Sequence, residues 1–205
     1  MAVSFLGFAV AAAIFGSLGI VLNFTVCLVY FLKPRLLDAS NIFILNISSG
    51  DFLYSITALP MLLTNNVRGE WSFGDGGCIA YGFLTTFFAL GSIMNLAGAA
   101  YERYITMCKL YDNGQHQFAP KKAVILSATL WIYAFVWSIA PVIGWSNYKQ
   151  EGIGTSCSTD WKSRDVNDLS YGIALIIACF VVPGSAILYC YIESFRVIRK
   201  LGQQA

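Results

Sequence analysis

Polar residues along this chain gather in short clusters, and between them lie five long, predominantly apolar runs: roughly 5 to 32, 41 to 64, 79 to 108, 123 to 145 and 169 to 195. A hydrocarbon core about 30 Å thick takes about 20 residues of helix, so each run is long enough to cross it. The runs are too long for strands and lack the alternation of barrel strands. In lipid every backbone group must find its partner within its own segment, which makes the runs helices. The pattern therefore predicts an all-α transmembrane helix bundle of five spans, one domain over residues 1–205.

Composition agrees with that solvent. Hydrophobic residues make up 57% of the chain, charged residues 12%, and the mean hydropathy is +0.64, outside the usual balance of a soluble domain. The first run starts near Met1, but it has no basic leader, exceeds a signal peptide's apolar core and contains Asn23 before "KPR", so it reads as a retained span. Lys33, Arg35, Arg103, Lys109, Lys121, Lys122, Arg196, Arg199 and Lys200 fall on one side of the bundle, against Arg68, Lys149, Lys162 and Arg164 on the other. The excess of positive residues marks the first side as cytoplasmic, with the N-terminus outside and the C-terminus inside. Nucleic acid is not an expected partner.

That orientation sorts the cysteines. Cys27, Cys108, Cys179 and Cys190 lie within spans or at their cytoplasmic ends, and only Cys78 and Cys157 face the oxidising side. A disulfide between these two is the economical pairing, with two free thiols as the alternative.

Polar residues inside spans are costly in lipid and are functional candidates. Asn23 and Asp51 lie mid-span at similar depth. They can act as hydrogen-bonding glue between helices, or as a switch element holding waters or a sodium ion. Glu102, Arg103 and Tyr104 form "ERY" at the inner end of the third span. The first two are neighbours on a helix and pair only by folding their side chains back. The sequons at Asn23 and Asn46 lie within spans, out of reach of lumenal glycosylation. No glycine-rich phosphate loop, metal-ligand cluster or nucleophile–base set is apparent, so no enzyme is expected. His116, in "KLYDNGQHQFAPKK", reads as a solvated loop histidine.

Together these marks resemble the first five helices of a rhodopsin-like, class A G protein-coupled receptor: Asn23, Asp51, "WSFGDGGC" ending at Cys78, "ERY", Trp131, Pro141, Cys157, Pro183 and Tyr191. Leu22 departs from the small residue that usually precedes the first-span asparagine. The outer loop "PVIGWSNYKQEGIGTSCSTDW" resembles that of opsins, whose pattern forms a lid of two short strands over retinal. "STDWKSRDVNDLSY" is most similar to the encephalopsin and teleost multiple-tissue opsin branch of ciliary-type non-visual opsins, with peropsin-like sequences next.

The resemblance implies a light-sensing receptor that binds retinal as a protonated Schiff base and activates a heterotrimeric G protein on photoisomerisation. A carboxylate counterion keeps such an imine protonated. Tyr81 stands where visual pigments carry that carboxylate near the top of the third span, and a phenol is neutral at ordinary pH. Glu151 matches the alternative counterion in the loop. The same alignment implies a retinal pocket of Tyr81, Gly82, Thr85, Thr86, Ala89 and Leu90 from the third span, Ser156 and Ser158 from the lid, and Leu175, Cys179 and Phe180 from the fifth. Leu90 and Cys179 replace a glutamate–histidine pair of rod pigments. Arg103 would meet the G protein, with Tyr191 swinging to support it.

Further implied are a multi-pass location in the plasma membrane, and arrestin and receptor dimers as partners. Lys33, Lys109, Lys121, Lys122, Lys149, Lys162 and Lys200 all sit in loops or at helix ends, so the retinal-attachment lysine is not among these 205 residues. The chain then reads as part of a longer opsin or as a truncated product that makes no pigment and associates with full-length receptors. A receptor for a diffusible small ligand is the other alternative, which the lid pattern argues against.

Overall fold

The computed structural model describes residues 2–113, 118–152 and 154–204. His116 and much of the second inner loop lie outside the described residues. Among the described residues, five helices are long and apolar enough to cross a membrane. In chain order they are α1 (Ala2–Leu32), α2 (Ala39–Arg68), α3 (Gly74–Asn113), α4 (Pro120–Ile139) and a fifth span made of α5 (Val166–Ile176), a π turn (Ile177–Val181) and α6 (Val182–Gln204). A hairpin of β1 (Tyr148–Glu151) and β2 (Ser156–Thr159) lies between α4 and α5.

Local chemistry sets these boundaries. Asp38 caps α2 by accepting from the Asn41 N–H at 2.8 Å, which satisfies a donor the helix leaves free. Gly69, at φ 76°, ends the same helix and returns its N–H to the Asn65 carbonyl, a left-handed stop that glycine adopts without a Cβ penalty. The fourth run was expected to continue to 145, yet α4 stops at Ile139. Residues 140–146 turn instead, with Gly144 at φ 103° and the Trp145 N–H closing on the Ala140 carbonyl at 3.0 Å. Apolar composition carried the predicted span past a turn rich in Pro141 and Gly144. In the fifth span Pro183 has no N–H to donate back along the helix, and the turn just before it widens to π geometry, with Val182 N–H bonded to the Ile177 carbonyl.

Helices α2, α3 and α4 meet at a joint of small and polar residues. Trp131 of α4 lies against Gly50 and Gly91; a Cβ on Gly91 would fall 2.0 Å from the indole and one on Gly50 2.8 Å away. Its Nε1–H donates to Asn46 Oδ1 at 3.1 Å. Fully buried Asn95 accepts from Ser127 at 2.5 Å and donates to the Gly91 carbonyl at 2.9 Å. In contrast α1 turns bulky apolar groups outward, Phe15 being 73% and Phe31 81% exposed, as suits a helix face against lipid.

Candidate functional site

The hairpin is tied to the bundle at two points. Cys157 of β2 is disulfide-bonded to Cys78 near the start of α3, with a Cα–Cα distance of 5.4 Å, so the economical pairing is the one formed. Tyr148 of β1 is the second anchor. It is buried, and its hydroxyl donates to the Ser138 carbonyl of α4 at 2.8 Å. Burial pushes its phenol up to about 12. Successive strand residues point to opposite faces. Tyr148, Cys157 and Thr159 are therefore buried on one face, while Lys149, Glu151, Ser156 and Ser158 share the other, paired as Lys149 with Ser158 and Glu151 with Ser156.

Beneath the hairpin is a cleft of about 220 Å³ lined by Thr85, Thr86, Ala89 and Leu90 of α3, Ser158 and Thr159 of β2, Trp161, and Leu175 and Phe180 of the fifth span. Seven of the residues expected around a ligand thus meet in one space. Four lie elsewhere. Gly82 is covered by the Tyr148 ring, and a Cβ there would fall 2.3 Å from it, so the absence of a side chain lets the lid seat. Tyr81 packs with Ala58 around the disulfide, its ring edge-on to Trp71 at 5.5 Å. Cys179 is turned into the core beside Leu90, Met94 and Tyr171. Ser156 faces a second cavity of about 450 Å³ between α1, α2 and the lid, lined also by Phe8, Phe15, Leu62, Asn66 and Glu151.

Glu151 is half-buried and held by the two serines on its own face. Ser158 donates to Oε2 and Ser156 to Oε1 at 3.5 Å. Because Ser158 also lines the cleft, it links the carboxylate to that space. A third cavity, about 340 Å³, shares Thr85 and Ala89 with the cleft and reaches Tyr54 and Asp51.

Deeper in the bundle, Asp51 accepts from Ser92 of α3 at 2.9 Å, whereas Asn23 donates to the Gly19 carbonyl of its own helix. The two residues are thus bonded to different protein partners, Asp51 across to α3 and Asn23 within α1. At the inner end, Glu102 is buried and accepts from Thr106 at 2.9 Å, while Arg103 is exposed. Neighbouring positions on a helix point about a quarter-turn or more apart, and the folded-back pair is not formed: among the described residues the ion pairs are Lys149–Asp160 and Glu193–Arg196. Tyr104 meets Tyr189 of α6 edge-on at 5.8 Å; Tyr191 is exposed. The sequence reading missed Ser92, Asn95, Ser127, Tyr148 and Trp161. Ser92, Asn95 and Ser127 are polar groups in spans, the same signal that picked out Asn23 and Asp51.

The sequence profile of the family described as 7 transmembrane receptor (rhodopsin family) matches residues 22–205. Melanopsin-B of Xenopus laevis is 34% identical over 190 residues, covering 93% of this chain and 35% of that protein. The vertebrate ancient opsin of Salmo salar is 33% identical over 185 residues, covering 90% of this chain and 57% of its own length. The crystal structure of squid rhodopsin superposes with a TM-score of 0.89 at 26% identity, over 98% of this chain and 57% of that one. The chain therefore spans between about a third and three-fifths of these relatives. It is an integral membrane protein with the architecture of the first five helices of a receptor bundle, and it belongs to the rhodopsin family of seven-transmembrane receptors, a family that is not enzymatic.

Proposed function

We propose that this chain is the first five spans of a light-sensing opsin that binds retinal and activates a heterotrimeric G protein on photoisomerisation. One observation carries the reading: an apolar cleft between α3, the disulfide-tethered lid and the fifth span, with a carboxylate on the lid joined to it through Ser158. Such a space takes a polyene, and its few polar groups fix orientation.

In this reading Glu151 is the counterion of a protonated Schiff base formed by a lysine outside residues 1–205. Ser156 and Ser158 hold its carboxylate; a buried charge is stable when it is paired and hydrogen-bonded. Thr85, Thr86, Ala89, Leu90, Leu175 and Phe180 exclude water from the polyene. Tyr81, Gly82 and Cys179 act one layer behind, by seating the lid and closing the core. Isomerised retinal fits the resting cleft poorly, which shifts the population toward an open inner face. There the exposed Arg103 meets the G protein, Tyr191 supports it, and Glu102, Tyr104, Asn23 and Asp51 belong to the switch. The receptor lies in the plasma membrane with its N-terminus outside, and arrestin and receptor dimers follow as further partners. The outer loop after Cys157 argues for the encephalopsin and multiple-tissue branch.

The test is to express the complete coding sequence with 11-cis-retinal. A visible absorbance band is expected, and Glu151→Gln should shift it toward the ultraviolet at neutral pH. A seventh span without a lysine sinks the pigment reading; a band that ignores Glu151→Gln returns Glu151 to a solvated loop.

A further inference from the structure

Glu151 shares its strand face with a cation. Lys149 is two residues earlier in β1 and lies opposite Ser158, the residue whose hydroxyl holds Glu151 Oε2. Two residues along a strand advance about 6.6 Å and return to the same face, and a lysine side chain is long and flexible enough to cover that distance to Glu151. Lys149 and Glu151 also border one crevice of about 90 Å³ at the outer edge of the hairpin. A carboxylate meant for a ligand's cation therefore has a competitor beside it.

The lysine is held elsewhere. Its Nζ is 2.9 Å from Asp160 Oδ2. Asp160 is fixed by the turn after β2, where its other oxygen accepts the N–H groups of Lys162 at 3.1 Å and Ser163 at 3.0 Å. One oxygen thus anchors the aspartate to backbone and leaves the second for Lys149. The titration directions agree: the hydrogen bond to Asp160 raises Lys149, and the bond from Lys149 lowers Asp160. The other charged groups on this edge are Lys162, which also borders the crevice, and Asp168, whose field adds to the hold on Lys149.

We infer that Asp160 is a positioning residue for Glu151: by trapping Lys149 it keeps the cation on the same strand face off the carboxylate, so that the charge of Glu151 acts on the ligand in the cleft. The inference rests on the counterion reading of Glu151. It adds a residue outside the cleft whose loss is felt only through a third side chain, Lys149.

The test uses pigment from the complete coding sequence, titrated by its visible band. Asp160→Asn frees Lys149, and the midpoint for loss of the band should fall by about one pH unit, a tenfold weaker hold on the imine proton. Asp160→Glu should keep the parent midpoint. The double variant Lys149→Met, Asp160→Asn should restore it, because the competitor is gone. A merely structural aspartate gives the opposite result: the single and double variants fall together, and the inference is overturned. It is overturned equally if Asp160→Asn titrates like the parent while Glu151→Gln moves the band. If Glu151→Gln itself changes nothing, the counterion reading has failed and this inference goes with it. Should Asp160→Asn not fold, a folded double variant at the parent midpoint supports the trap, and a double variant that also fails to fold overturns it.

Discussion

The joint of α2, α3 and α4 and the cleft between α3, the lid and α5 are built from the same helix, one turn or so apart, by opposite rules. At the joint, space is used up: Trp131 fills the absence of two Cβ atoms at Gly50 and Gly91, Ser127 satisfies Asn95, and Asn46 satisfies the indole. In the cleft, Thr85 and Ala89 leave about 220 Å³ free, and the outer wall is a loop held by one covalent bond and one buried tyrosine. Lipid offers little drive for apolar helices to associate, so small residues and polar bonds hold the joint. The cleft is kept open because its cover is tethered from outside.

Cutting the tether should give the largest effect. Cys157→Ser or Cys78→Ser opens a crosslink spanning 79 residues of sequence, and loss of a native disulfide costs about 2–5 kcal/mol. The lid should detach from α3, seen as a lowered melting temperature and as proteolysis within residues 147–160. A variant that melts like the parent and resists protease would mean that Tyr148 alone seats the lid.

Adding one side chain to each region separates the two rules. Gly91→Val drives carbon into the Trp131 ring, and overpacking of this kind costs about 1–3 kcal/mol. Ala89→Val faces open space in two cavities and should move the melting temperature little, within about 0.5 kcal/mol, while shifting the spectrum of a bound chromophore. Equal thermal effects from the two would erase the distinction between joint and cleft.

The polar half of the joint is the next test. Ser127→Ala leaves Asn95 Oδ1 buried without its donor, a loss of about 1–3 kcal/mol. Trp131→Phe removes only the bond to Asn46 and part of the ring, and should cost less than Gly91→Val.

What could be read in advance follows the same division. Span positions were legible because lipid demands long apolar helices, and the Cys78–Cys157 pair was legible because the orientation expected from the lysines and arginines leaves only those two thiols on an oxidising side. The cleft residues came from the opsin resemblance, and the ones that stand outside the cleft are instructive. Gly82 and Tyr81 lie on the third span near the cleft residues, but the lid's own Tyr148 and the disulfide cover them. A helix position alone does not say which neighbour will fill it. The joint was missed because an asparagine or serine in a span can bond its own helix, as Asn23 does, and periodicity does not distinguish that from the cross-helix bonds of Asn95. The π turn depended on how the chain accommodates Pro183, a choice made by packing.

The smallest expected effect belongs to the Lys149–Asp160 pair, which stiffens the edge of the lid without adding to either region's packing. Asp160 is held below the usual carboxylate range by the Lys149 hydrogen bond, so its contribution is present above the unfolded carboxylate pKa and is lost as pH falls through the folded value. Lys149 is held above the usual ammonium range by the same bond, so its contribution is present below the unfolded lysine pKa and is lost as pH rises through the folded one. Between these limits the pair is constant, and near neutral pH the melting temperature should be flat on its account. The lysine is exposed over 56% of its side chain, and exposed pairs are weak and screened by salt. Asp160→Asn should therefore remove a slight acid-side slope of stability and leave the neutral melting temperature almost unchanged, both effects shrinking in high salt. A large neutral-pH loss that salt does not touch would instead assign the stability to the Asp160 turn bonds with Lys162 and Ser163, making the lid's edge as tightly built as the joint.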